Sequence, residues 1–164
     1  MTGIKEWLLA AVAVLVVSFG VVKLAAAVER DWTIKSGGLG DIKLGHPLPL
    51  FVLGMSPEFY NGYYHDLIPF IGCKIPSDGT SIHLEFFILV QGIIPGPDYR
   101  TAQNTGQGST LAELRAAHGT IKTSNIPEPH HCVAWAPDLP DVYFEFPSCE
   151  AAELGEGVVR VNIR

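Results

Sequence analysis

The chain has 164 residues, 48% of them hydrophobic and 17% charged, with a net charge of −6. Residues 1–28 carry Lys5, Glu6 and Lys23, so the remainder holds nine basic and 16 acidic residues. An acidic domain without basic clusters argues against a nucleic-acid partner and against electrostatic docking on anionic lipid. It is long enough for one domain with its own core.

In chain order, the first feature is the apolar run Trp7 to Val28, 22 residues with one charge, Lys23. At about 1.5 Å per residue, a helix of that length just spans a hydrocarbon core of roughly 30 Å. A signal peptide is one reading, with Ala25, Ala26 and Ala27 as the cleavage site. An uncleaved anchor is the preferred one, with Trp7 and Lys23 as interface anchors. In that reading Ala10, Ala11, Ala13, Ser18 and Gly20 allow close helix packing against partner helices. Both readings send residues 29–164 outward. The expected location is the inner (cytoplasmic) membrane, single-pass, with a periplasmic C-terminal domain.

Trp32 to Lys35 reads as a short strand, and Ser36 to Gly40 as a turn. Pro47 and Pro49 forbid a regular helix interior between His46 and Leu53. Residues 55–72 look irregular and aromatic. Phe59, Tyr60, Tyr63 and Tyr64 form a Tyr-rich stretch suited to protein contacts. Ser81 to Ile94 alternates as one central strand with Ile82, Leu84, Phe86, Ile88 and Val90 on its apolar face. Thr110 and Glu113 have capping-box spacing, which predicts a helix from Thr110 to His118 ended by Gly119. His131 to Ala136 and Val142 to Phe146 predict a hairpin, and Val159, Val161 and Ile163 a half-buried last strand.

The halves share spacing. Gly45, Leu48, Phe51 and Leu53 lie 63 residues before Gly108, Leu111, Leu114 and Ala116, which suggests repeats over 37–95 and 100–164. The expected class is therefore α+β, an N-terminal transmembrane helix followed by an antiparallel sheet with one or two short helices, in two related helix-plus-hairpin units.

The stretch Gly106 to Gly119, with Gly40 to Gly45 as its upstream version, resembles the helix motif of exported bacterial proteins of unknown function. The arrangement is similar to the tandem helix-and-sheet fold of the β-lactamase inhibitor protein family, and to single-unit lipoproteins of outer-membrane assembly. This chain departs from them in Pro47 and Pro49, and in lacking a lipoprotein cysteine. The resemblance implies protein binding rather than catalysis. It also implies a disulfide within a repeat, which favours Cys132 with Cys149 and leaves Cys73 buried. A Cys73–Cys132 bridge is the competing pairing.

His130 and Cys132 share a strand face and are the metal candidates, but no second ligand pair has recognisable spacing. Two histidines before a structural cysteine is the reading adopted. There is no Gly-x-Ser-x-Gly elbow and no CxxC. No catalytic residue, metal or cofactor is expected. The expected function is a non-catalytic accessory or scaffolding subunit that contacts membrane-protein complex subunits or other envelope proteins. A cleaved, secreted protein-binding or inhibitor-like protein is the alternative, and an envelope hydrolase or metal-binding enzyme the third reading.

Overall fold

The computed structural model describes residues 30–64, 68–85, 88–126 and 131–164. The first described element is a three-stranded meander of β1 (Ile34–Lys35), β2 (Gly38–Leu39) and β3 (Ile42–Lys43). Its turns need glycine. Gly40 sits at φ +55°, and a Cβ there would lie 1.8 Å from the Asp31 carbonyl oxygen.

The remaining strands form one antiparallel sheet: β4 (Glu58–Tyr64), β5 (Ile68–Lys74), β6 (Ser81–Glu85), β7 (Leu89–Ile94), β8 (Lys122–Ile126), β9 (His131–Ala136), β10 (Leu139–Phe146) and β11 (Arg160–Ile163). Their order is β4-β5-β6-β7-β11-β10-β9-β8, so two four-stranded runs join through their last strands, Ile163 opposite Ile93. Short helices precede or interrupt these runs: α1 (Leu50–Gly54), α2 (Leu111–His118) and α3 (Cys149–Glu153).

Each run is stitched to the turn before its leading helix in the same way. Gly45 N–H donates to Val90 O at 2.8 Å and Val90 N–H to His46 O at 2.9 Å; Gly108 N–H donates to Val158 O at 2.7 Å and Val158 N–H to Ser109 O at 2.9 Å. Gly45 and Gly108 both have positive φ, +70° and +87°. A residue with a side chain is strained there, so glycine sets both turns.

The α+β expectation is corrected. The described residues are mostly β, an eight-stranded and a three-stranded sheet, with helices of only five, eight and five residues. The expected helix-plus-hairpin units are replaced by a short helix followed by four strands. Two sequence features explain the miss. Residues 55–72, read as irregular, contain most of the long β4–β5 hairpin, where aromatic side chains favour the pleated surface. Ser81 to Ile94, read as one strand, reverses between Glu85 and Leu89, which pair with each other. Continuous alternation carries no turn signal, so the reversal is invisible in it. No helix among the described residues is long and apolar enough to cross a membrane. The segment Trp7 to Val28, expected to do so, lies outside the described residues.

Where local signals were strong, the elements formed. Thr110 accepts from the Glu113 backbone, and the Glu113 carboxylate accepts from Thr110 N–H, so both arms of the capping box are made. At α1, Pro49 occupies the N-cap position without a side-chain cap, and the helix lasts little more than one turn.

Cross-strand partners point to the same face of a sheet. One face carries Cys73, Ile82, Ile93, Ile163 and Val142 in a continuous row, and Cys132, Ala134, Phe144, Phe146 and Val161 beside it. All of these are buried. They pack with Phe51 and Val52 of α1, Leu111 and Leu114 of α2, Ala152 of α3, and Ile34, Leu39 and Ile42 of the small sheet. Helices and small sheet therefore cover this face, and the described helices leave the other face open.

Candidate functional site

The open face begins at β4 with Tyr60, opposite Gly72 of β5, which is opposite His83 of β6, which is opposite Gly92 of β7. Glycine lets the rings lie flat against the backbone. A Cβ on Gly72 would fall 2.3 Å from the Tyr60 ring, and one on Gly62 would fall 2.5 Å from the Phe70 ring. Phe70 meets Tyr60 edge-on at 6.2 Å and lies 4.5 Å from the His83 ring. Burial pushes the Tyr60 phenol up from its ordinary range.

Across the sheet, Glu145 of β10 lies opposite Arg160 of β11 and Val133 of β9, and Tyr143 lies opposite Asn162. The Glu145 carboxylate is 5% exposed. It accepts from Arg160 Nε at 2.7 Å and from Asn162 Nδ2 at 2.6 Å. Arg160 Nη2 approaches its Oε2 at 2.6 Å, His131 Nε2 its Oε1 at 3.8 Å, and Arg164 Nη2 its Oε1 at 4.0 Å. Trp135 and Tyr143 are neighbours at 6.5 Å. The result is a row of aromatic and arginine side chains on strands, with one buried carboxylate fixing its charged part.

Burial holds the His83 imidazole below its ordinary pKa of 6.5, and the positive charge of Arg164 and Arg160 lowers it further. The unfolded chain therefore takes up this proton at a higher pH than the folded one. Stability contributed by neutral His83 is complete above pH 6.5 and is lost as pH falls toward the folded pKa. Replacing His83→Gln is expected to make the fall in melting temperature between about pH 7.5 and about pH 5.5 shallower than in the wild type. Thermal melts across that range check this; equal slopes would contradict it.

A second polar array lies on the covered side. His118 Nδ1 is 2.9 Å from Asp138 Oδ2, its Nε2 is 2.8 Å from Thr105 Oγ1, and Thr105 Oγ1 is 2.8 Å from Thr101 Oγ1. Carboxylate, imidazole and hydroxyl in that order is how nucleophiles are activated. Here the hydroxyl residue is 2% exposed, and its oxygen is already shared with Thr101. No substrate carbonyl reaches it, and the array ties the end of α2 to the turn before β10. The three residues are far apart in sequence, and no local signal marks them.

Cys132 and Cys149 are joined by a disulfide, Cα–Cα 4.8 Å, and Cys73 is free and buried. Cys132 faces Phe146 in the strand register, and the bridge is made because α3 folds back over β9. With its sulfur in that bond, Cys132 has no thiolate to offer a metal. His130 lies outside the described residues, among which no group of three metal-ligating side chains occurs. Burial pushes the Cys73 thiol up to about 11, so it is not a reactive nucleophile.

The aromatic contact candidates are not loop residues. Phe59, Tyr60, Tyr63 and Tyr64 all belong to edge strand β4, and alternation separates Phe59 from Tyr60. Phe59 is opposite Cys73 on the covered face yet exposed at its rim, whereas Tyr60 belongs to the open face. Trp7, Ala10, Ala11, Ala13, Ser18, Gly20 and Lys23 lie outside the described residues. Sequence reasoning missed Glu145, Arg160 and Asn162 as a group, although the charged alternation of the last strand was visible.

No protein family and no curated protein matches the chain. Among solved structures, the uncharacterised protein yfeY from Escherichia coli superposes with a TM-score of 0.58. The match covers 80% of this chain and 99% of that one, at 9% identity. The likeness is one of fold alone. At 9% identity the correspondence with yfeY carries no residue of the open face from one protein to the other.

Proposed function

We propose that the chain is a non-catalytic protein-binding domain held on the outer side of a membrane, an accessory or scaffolding subunit of an envelope complex. Its docking surface is the open face of the eight-stranded sheet. The observation that carries this reading is the composition of that face: Tyr60, Phe70, Trp135, Tyr143 and Arg160 on hydrogen-bonded strands, with Arg164 directly after the last of them. Tyr, Trp and Arg are the residues that dominate binding energy at protein interfaces, and rigid presentation lowers the entropic cost of using them. Glu145 holds Arg160 in place, so the surface is ordered before a partner arrives.

Two further features support an extracytoplasmic setting. The Cys132–Cys149 bridge belongs to oxidising compartments, and the apolar run Trp7 to Val28 has the length and composition of an export or membrane segment. The resemblance of Gly106 to Gly119 to the helix motif of exported bacterial proteins belongs to the same outward-facing reading.

The test is the native mass of the particle obtained by mild detergent extraction, for the wild type and for Tyr60→Ser/Arg164→Glu, two exposed positions. The expected result is a larger stoichiometric particle for the wild type and a folded, lone chain for the variant. A lone wild-type chain beginning near Val28 would instead support the cleaved, secreted inhibitor-like protein. A lone full-length chain would overturn both.

A further inference from the structure

Helix α1 is amphipathic in an unusual sense. Phe51 and Val52 enter the core, whereas Leu50 and Leu53, three residues apart on its outer side, are 69% and 44% exposed. Ile88, whose carbonyl accepts from Leu48 N–H at 2.9 Å just before α1 begins, is 56% exposed. These are three exposed aliphatic side chains at one end of an acidic domain, a cost to solubility unless something apolar meets them.

The position of the chain's first described residues says what meets it. Arg30 lies with its guanidinium 3.8 Å from the centre of the Phe51 ring, and it pairs with Asp41 at 3.2 Å. Trp32 meets the same Phe51 ring edge-on at 5.9 Å and stacks on Tyr99 at 5.4 Å. Arg30 and Trp32 thus both rest on Phe51 of α1 immediately after the apolar run, which ends at Val28. Two residues span at most about 7 Å. Wherever the apolar run meets a bilayer, α1 is brought to the surface of that bilayer.

We propose that the outer side of α1, Leu50 and Leu53 with Ile88, beds into the headgroup–acyl boundary of the membrane. It orients the domain so that its sheet stands at a set angle to the lipid surface. Attraction here is apolar, since Arg30 is already paired with Asp41 and the domain carries net negative charge. The inference rests on the membrane-held reading above and adds the surface that touches lipid.

The test is collisional accessibility of a spin label in the full-length chain reconstituted into vesicles of phosphatidylethanolamine and phosphatidylglycerol. Labels go on Leu53→Cys and, separately, Leu50→Cys, with Cys73→Ala as background and the native disulfide kept. Ser124→Cys, on exposed strand β8, serves as the aqueous reference. The labels at 50 and 53 are expected to collide with oxygen several-fold more than with a water-soluble nickel chelate, and the label at 124 to show the reverse. Labels at 50 and 53 as open to the chelate as 124 would overturn the inference and leave the membrane-held reading intact. Labels closed to both reagents, the pattern of a second copy covering α1, would do the same. A chain that washes off the vesicles would overturn the inference and the membrane-held reading together.

Discussion

Cys132→Ala/Cys149→Ser is expected to unfold at a lower denaturant concentration than the wild type, with about 3 kcal/mol of unfolding free energy lost. The two cysteines are 17 residues apart, and cross-linking a loop of that order removes about 3 kcal/mol of conformational freedom from the unfolded chain. Alanine is chosen at position 132 because that side chain is fully buried, and a hydroxyl there would add its own desolvation cost. The bridge also clamps α3 to the sheet, where Ala151 and Ala152 are its buried residues. Loss of the bond therefore frees a helix of five residues that has little propensity to hold its place unaided. Denaturant titration of the variant, and of the wild type with and without reductant, checks this. A loss below about 1 kcal/mol would mean that α3 docks through its alanines alone.

Glu145→Ala is expected to cost about 1.5–3 kcal/mol, the range for hydrogen bonds to a charged group. Two donors lose their acceptor at once, Arg160 Nε and Asn162 Nδ2. Asn162 is buried and has no water to turn to, whereas the Arg160 side chain is half exposed and can rehydrate. That difference keeps the cost below the 3–5 kcal/mol or so of a fully buried pair. A double-mutant cycle with Asn162→Ala separates the two, because Asn162 alone supplies the buried share. Coupling near zero would show that the carboxylate is held by Arg160 only. The same variant should weaken docking beyond its effect on stability, since Arg160 then loses the contact that orients it on the open face.

How much of this was legible depended on how local the causes were. The helix from Thr110 to His118 was readable because its capping box is a three-residue interaction and Gly119 stands at its end with φ +73°. Strands β9, β10 and β11 were readable because short runs of β-branched and aromatic residues bounded by turn residues mark a strand whatever its partner. The reversal between Glu85 and Leu89 was not readable, since the alternating pattern runs through it without glycine or proline. The Tyr-rich stretch was recognised as a contact candidate but placed in a loop. Its pairing with β5 splits it by face and gives Tyr60, not Phe59, to the open surface.

Composition, charge and short-range spacing by themselves determined the apolar run at the start, the net negative charge of the residues after it, one capped helix and the strands of the second half. These properties depend on a residue and its near neighbours. Tertiary structure alone decided the sheet order that sets Ile163 beside Ile93, the face left open by the helices, and the gathering of Glu145, Arg160 and Asn162. It also decided which cysteine reaches Cys132. The physical reason is the same in each case. Alternation tells which residues share a face of a strand, but the partner strand and the covered side follow from long-range packing of apolar surface.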